Sequence, residues 1–128
     1  MTQPPSRILI IQPLPGIGDI AWFHAHIQAI KRKNPHSQIT LLTKASSHGK
    51  EVLSAASYVS SVEYLDPEEG VGHKFRQLLG PLPLAQHLKK SLYDQAWIFH
   101  KSGRYVWGCR LAKIPHIYTY EGYYKHGV

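Results

Sequence analysis

The sequence has little of several features that would point to particular classes of protein. Its single cysteine, Cys109, cannot form an internal disulfide, which favours a reducing, cytoplasmic compartment. The longest aliphatic run is Ile8–Ile11, far shorter than the roughly 20 residues of a membrane span. Residues 1–6 lack the basic and hydrophobic stretches of a signal peptide. The 128 residues fit one domain and are too few for a TIM barrel or a two-domain enzyme.

Acidic side chains are also scarce. Eight Asp and Glu residues stand against fifteen Lys and Arg, a formal net charge of +7. Such a surface suits a polyanion, whether nucleic acid, anionic lipid or a phosphorylated substrate, and equally suits a solvated basic face without a specific partner. The basic residues are spread along the chain, with the densest run at Lys31–Lys33. Charge alone therefore does not choose between these interpretations.

The hydrophobic pattern predicts alternating strands and helices. Residues 7–12 form a continuous apolar run, typical of a strand buried on both faces. Apolar residues then recur at helical spacing over 19–33, and 38–43 is a second apolar run, which completes a βαβ unit. Because proline disfavours a helical residue before it, Asn34-Pro35 ends the helix.

The same alternation continues to the end of the chain. It predicts further helices at 47–56, 73–92 (broken at Gly80–Pro83) and 104–113, and further strands at 59–65, 95–99 and 117–120. We therefore expect an α/β fold, a Rossmann-like parallel sheet with helices on both faces.

The turn after the first strand is the first place to expect a ligand, because open α/β sheets bind ligands beyond the carboxyl ends of their strands. Gly16-Ile-Gly18-Asp19-Ile20-Ala21 matches the G-x-G-x-x-A pattern of dinucleotide-binding folds. A carboxylate at Asp19 would repel a pyrophosphate there. Lys44 follows the second strand where NAD-binding folds place an acidic residue, which leaves NADP open through its 2′-phosphate.

Two roles remain open for Asp19. An aspartate in the first turn of a helix caps free N–H groups and is stabilised by the helix dipole. The same dipole favours the ionised carboxylate, the form that a general base must have. The two roles are compatible.

Two groups of short segments are each weak signals of a protein family, but their order and spacing together are more specific. The first group is Ile8–Ile11, Gly16-x-Gly18-Asp19-Ile20, Ile27-x-Ala29-Ile30-Lys31, Pro35 and Ile39–Leu42. The second group is Tyr93-Asp94-x-Ala96-x-Ile98, followed by a basic loop and Leu111-Ala112-x-Ile114-Pro115. Together they resemble the amino-terminal half of glycosyltransferase family nine, the lipopolysaccharide heptosyltransferases, over a stretch from Arg7 to about Glu121.

This resemblance implies one half of a GT-B architecture, in which an amino-terminal domain binds the acceptor lipid sugar and a carboxy-terminal domain binds the nucleotide-sugar donor. It implies inverting transfer in lipopolysaccharide core synthesis, without a metal or other cofactor. Asp19 matches the aspartate regarded as the base. The residues expected to contact the acceptor are Gly16, Gly18, Lys44, His100, Lys101 and Arg104.

We accordingly expect residues 1–128 to be a single acceptor-side domain, inactive alone because the donor-binding domain is absent from this chain. The resemblance implies an anionic, phosphorylated glycolipid as acceptor, no nucleic acid, and a cytoplasmic location with peripheral contact at the inner face of the inner membrane. The alternatives are a stand-alone binding module for NADP or nucleic acid, and a fragment without chemistry.

Four further groups of residues have other interpretations. His24 and His26 are two apart on the first helix and point in different directions, so we expect no metal site. Cys109 lies in an apolar helical segment, where a thiol is usually an inert core residue. His100 is a hydrogen-bonded loop histidine if it does not contact the acceptor. The tyrosines within 118–124 either stack on bases or sugars, or form the surface on which a second domain docks.

Overall fold

The computed structural model describes residues 6–13, 17–44, 48–54, 56–65, 81–100, 103–119 and 122–125, of which 17–22, 81 and 123–125 are described by their backbone. The strands are β1 (Arg7–Gln12), β2 (Gln38–Thr43), β3 (Ser61–Tyr64), β4 (Gln95–Ile98), β5 (His116–Thr119) and β6 (Gly122–Lys125). The helices are α1 (Ile17–Lys33), α2 (Gly49–Val52), α3 (Pro81–Leu88) and α4 (Gly103–Leu111). Within these ranges, no helix has the length and hydropathy needed to cross a bilayer.

The strands form one sheet in the order β3-β2-β1-β4-β5-β6. The first five are parallel, and β6 runs antiparallel to β5 at the edge. β1 lies between β2 and β4, and its residues Ile8–Ile11 are at most 1% exposed. The prediction of an α/β fold with a parallel sheet is confirmed, because an uninterrupted apolar run such as β1 requires cover on both faces.

Alternate residues of the strands pack into two separate cores. On one face, Ile8 and Ile10 of β1 contact Ile27 and Ile30 of α1, and Leu53 after α2 joins them. On the other face, the core holds Leu9 and Ile11 of β1, Leu84 and Leu88 of α3, and Tyr105 and Cys109 of α4. The two helices before β3 thus cover one face and the two after it cover the other.

Two predicted helices differ from the observed ones. α2 is shorter than predicted because His48, with φ 54°, is left-handed and begins the helix no earlier than Gly49. The Gly80–Pro83 segment was expected to interrupt a helix over 73–92, but α3 begins at Pro81 and ends at Leu88. Prolines are tolerated in a first turn because its N–H groups have no helical partner. Residues 66–80 lie outside the described ranges.

The strand β6 was not predicted. The chain reverses after Thr119, and Gly122 pairs with Thr119 across the turn. Gly122 has φ 152°, a backbone conformation that glycine adopts much more readily than residues with a side chain. The tyrosine-rich end of the sequence therefore includes a β-hairpin. The sequence did not predict its second strand, because the polar Glu121-Gly122 pair interrupts the run of strand-forming residues.

A side-chain hydrogen bond joins the edge strand β3 to helix α3. His87 Nε2 of α3 lies 2.5 Å from Glu63 Oε2 of β3. The hydrogen bond from His87 holds the pKa of the Glu63 carboxyl below its ordinary value, against the opposing effect of burial. This contact fixes α3 against β3, on the opposite side of α3 from α4.

The helices α3 and α4 approach each other closely at a glycine. A Cβ on Gly108 would lie 2.6 Å from Leu84 Cδ2 and 3.0 Å from Leu84 Cγ. At Gly103, in the first turn of the same helix, the nearest atom would be 4.0 Å away. The packing of the two helices therefore depends on the missing side chain at position 108.

We expect Gly108→Ala to lower the free energy of unfolding by about 1–2 kcal/mol, because forced repacking outweighs the gain in helix propensity. Gly103→Ala is the matched control and should leave stability equal or slightly higher. Urea denaturation measures both. Equal stabilities of the two variants would contradict the close approach at Leu84.

Candidate functional site

The strand order reverses direction between β1 and β4, and this reversal defines the position of the candidate site. From β1 the chain passes to α1 on one face of the sheet, whereas from β4 it passes to α4 on the other face. The two connections therefore diverge at the carboxyl ends of these neighbouring strands. In open α/β sheets, the crevice that results is where ligands bind.

Two of the predicted site residues lie in the first turn of α1, on the β1 side of this crevice. Gly18 and Asp19 are the second and third residues of the helix. At a helix N-terminus the dipole favours negative charge, so a carboxylate at this position is favoured in its ionised form. The roles of Asp19 as base or cap remain predictions, and Gly16 lies outside the described residues.

Two other predicted site residues, His100 and Arg104, lie on the β4 side, and Lys44 lies on the other side of β1. Lys44 directly follows β2, His100 lies two residues beyond β4, and Arg104 is the second residue of α4. The His100 ring contacts the Tyr105 ring edge-on at 5.4 Å, and the Arg104 guanidinium lies 5.3 Å from the centroid of the same ring. Tyr105 is 1% exposed, so a buried ring fixes the position of both side chains. Lys101 lies outside the described residues.

The pKa of His100 depends on its burial and on the two neighbouring basic residues of the predicted site. Burial lowers the pKa of the His100 imidazole, and the charges of Arg104 and Lys44 lower it further. The positive charges of Arg104 and Lys44 therefore disfavour the protonated imidazole of His100. A bound anion would offset their repulsion and favour the protonated imidazole. The arrangement suits a phosphate or a carboxylate of a ligand.

A buried amide lies under the same edge of the sheet and was missed in the sequence. Gln12, the last residue of β1, is 0% exposed, and its Oε1 accepts a hydrogen bond from Thr43 Oγ1 at 3.2 Å. Among the residues that the structure describes, its Nε2 has no hydrogen-bond partner. An unsatisfied buried donor costs about 1–3 kcal/mol, so it stands out at a candidate binding site. The signal available in the sequence was a polar residue closing each of two neighbouring apolar strands.

The remaining singled-out residues have structural roles. Cys109 is 0% exposed, and burial raises the pKa of its thiol to about 12, which confirms an inert core residue. His24 contacts the Tyr58 ring at 5.1 Å, whereas His26 lies near the Phe99 ring at 5.9 Å, so the two histidines do point apart. Tyr118 stacks on Trp97 at 4.2 Å within the sheet.

Comparison with solved structures identifies the fold. The ADP-heptose LPS heptosyltransferase II of E. coli superimposes with a TM-score of 0.68 and 19% identity, over 91% of this chain and 31% of that one. A family 9 glycosyl transferase from Veillonella parvula superimposes with a TM-score of 0.64 and 15% identity, over 91% of this chain and 32% of that one. The fold is that of these glycosyltransferases.

The resemblance predicted from the sequence segments is thus confirmed at the level of the fold. No protein-family model and no curated protein matches the sequence. The chain spans about a third of the length of the solved structures that it matches.

We expect Thr43→Val to lower the free energy of unfolding by about 1–3 kcal/mol, because both ends of the buried Gln12 amide then lack partners. Adding Gln12→Met should restore most of this loss, since the polar pair becomes apolar on both sides. Chemical denaturation of the single and double variants measures the difference. A double variant no more stable than Thr43→Val would contradict the assignment of Gln12.

We expect the affinity for sulfate, which stays doubly charged, to increase as pH falls from 8 towards the depressed pKa of His100. Protonation of His100 then accompanies binding, with a limit of about ten-fold per pH unit for one linked proton. Calorimetry across this range measures it. His100→Gln should abolish the pH dependence, and Arg104→Gln should raise the pKa of His100, followed by NMR of the imidazole. An unchanged pH profile in His100→Gln would assign the linkage to another group.

Proposed function

We propose that this chain is the acceptor-binding domain of an inverting, heptosyltransferase-like glycosyltransferase of lipopolysaccharide core synthesis. In this proposal residues 1–128 are one half of a GT-B architecture and are inactive alone, since transfer needs both substrates held in one orientation. The proposal is supported above all by the positions of His100 and Arg104, which both contact the Tyr105 ring just beyond β4, at the carboxyl edge of a sheet whose fold is shared with glycosyltransferases.

The basic residues suggest the nature of the acceptor. Arg104 and Lys44 raise the local positive potential, and His100 gains a proton when an anion approaches. A phosphorylated, acidic glycolipid supplies the complementary charge, and nucleic acid is not needed to explain the cluster. The substrate contacts proposed are Gly16, Gly18, Lys44, His100, Lys101 and Arg104.

Asp19 is proposed as the general base. The acceptor hydroxyl attacks the anomeric carbon of the donor sugar, and its proton passes to the Asp19 carboxylate. The bond from the anomeric carbon to the nucleotide phosphate breaks, and the nucleoside diphosphate leaves with that electron pair. The first turn of α1 suits this role because its dipole keeps a carboxylate ionised until the proton arrives. No metal or other cofactor takes part in the proposed step.

Binding by the chain alone tests the acceptor role. A lipid-free phosphorylated core oligosaccharide should bind with an affinity in roughly the micromolar to millimolar range, whereas an ADP-sugar should not bind. Lys44→Gln with Arg104→Gln should weaken oligosaccharide binding by about ten-fold. Arg32→Gln with Lys33→Gln, which removes two exposed cations from the end of α1, is the charge-matched control. Equal losses in the two pairs would show attraction by net charge alone.

Asp19→Asn separates catalysis from capping, because asparagine remains a good helix cap but is not a base. In a preparation complemented with a donor-binding domain, we expect transfer to fall by about 10²–10⁴-fold while oligosaccharide binding is unchanged. Product formation from an ADP-sugar measures the rate. Near-normal transfer by Asp19→Asn would show that another group takes the proton.

Dinucleotide binding is the second candidate, favoured by one observation. The strand order β3-β2-β1-β4-β5 with a glycine turn after β1 is the order that binds dinucleotides, and Lys44 follows β2. NADP in the same calorimetric experiment discriminates the two functions. Binding of NADP and not of the oligosaccharide would favour this alternative.

A further inference from the structure

The exposed apolar side chains of the described residues are concentrated in one layer. The large hydrophobic residues that are at least 40% exposed are Val52, Leu82, Leu92, Trp107 and Leu111. All except Val52 belong to α3, to α4 or to the segment that follows α3. We call the outward side of α3, α4 and residues 89–92 the α3–α4 face. Exposed apolar side chains that lie together on one part of a protein surface often mark an interaction site.

The charge of this face has one sign. Residues 81–93 and 103–115 contain no Asp or Glu. The exposed cations there are Lys89, Lys90, Arg104, Arg110 and Lys113. A face with exposed leucines and a tryptophan, with lysines and arginines but without carboxylates, is complementary to a surface that is both apolar and anionic.

Trp107 is the most distinctive residue of the α3–α4 face. Its side chain is 59% exposed, and the Arg110 guanidinium lies 5.8 Å from its ring centroid. Tryptophan with an adjacent arginine suits the headgroup level of a bilayer, where the ring enters the apolar boundary and the guanidinium remains with phosphates and water. Leu111, one turn further along α4, is 40% exposed.

The α3–α4 face adjoins the basic cluster, the name we give to Lys44, His100 and Arg104. α4 begins at Gly103 and contributes Arg104 to the cluster, and Trp107 follows Arg104 by about one helical turn. α3 lies against α4 at the contact between Leu84 and Gly108, so the two helices form a continuous layer. A bilayer against this layer would lie next to the crevice that we propose for the acceptor sugar.

We propose that the α3–α4 face docks on the surface of an anionic lipid bilayer. A second copy of this chain is a poorer occupant, because the face is cationic and the whole chain has a net charge of +7. Only one part of this inference rests on the proposed function: docking would present the crevice to an acceptor that is anchored in the bilayer. The lipid interaction itself depends on the face alone.

Sedimentation with vesicles tests this proposal. The chain should bind vesicles of phosphatidylcholine with about 30% phosphatidylglycerol and bind much less to phosphatidylcholine alone. Added salt should weaken the binding, because exposed charges are screened. Equal binding to both vesicles, or none to either, would overturn the proposal.

Substitutions of equal exposure or equal charge locate the contact. Trp107→Ser and Leu111→Ser should each lower the partition coefficient by about five-fold or more, and Arg110→Gln by about five-fold. Val52→Ser on α2, 40% exposed like Leu111, is the apolar control, and Arg32→Gln on α1 is the charge control. Both controls should change it by less than about two-fold. Losses in the controls as large as those in the face variants would overturn the proposal.

Two further measurements separate the outcomes. Gel filtration without lipid reports self-association, and a concentration-dependent dimer that Trp107→Ser removes would assign the face to a second copy instead. Binding of the lipid-free oligosaccharide reports the proposed acceptor site, and it should be unaffected by Trp107→Ser. If the wild-type chain binds the oligosaccharide but not the vesicles, only the docking proposal is contradicted. If it binds the vesicles but not the oligosaccharide, only the proposed function is contradicted.

Discussion

The burial of β1 on both faces is the constraint on which the rest of the structure depends. Residues Ile8–Ile11 are at most 1% exposed, so each face of β1 must be covered by helices. α1 covers one face and the α3–α4 layer covers the other. Because neighbouring strands β1 and β4 lead into helices on opposite faces, their connections separate at the carboxyl edge. The crevice is thus a consequence of how the central strand is covered.

The basic cluster turns this crevice into a candidate anion site. Lys44, His100 and Arg104 come from three different segments, and the His100 ring and the Arg104 guanidinium both contact the Tyr105 ring. Burial and the positive charges of Arg104 and Lys44 lower the pKa of His100, and a bound anion would oppose the effect of those charges. The arrangement therefore favours a negatively charged ligand.

The Gln12 amide is a second polar group at the same edge of the sheet, and its hydrogen bonding is incomplete within the described residues. Its Oε1 is satisfied by Thr43, while its Nε2 is buried without a partner. Folding retains this unfavourable group at the carboxyl end of β1, the edge of the sheet at which open α/β folds bind ligands. The Gln12 amide differs in this respect from Glu63 at the edge of the sheet, whose carboxylate is hydrogen-bonded to His87.

Local sequence determined the elements with strong periodicity. The apolar runs at 7–12 and 38–43 and the helical spacing up to Lys33 predicted β1, β2 and α1 nearly to the residue, because burial on both faces or on one stripe imposes a distinct pattern. The same runs, with Gly18 and Asp19 between them, placed the candidate site at the end of β1. Tertiary structure alone decided the pairing of β1 with β4, the effect of the Lys44 charge on His100, and the packing of α3 against α4 at Leu84 and Gly108. These depend on contacts between residues far apart in the chain, and such contacts leave no periodic signal in a single sequence.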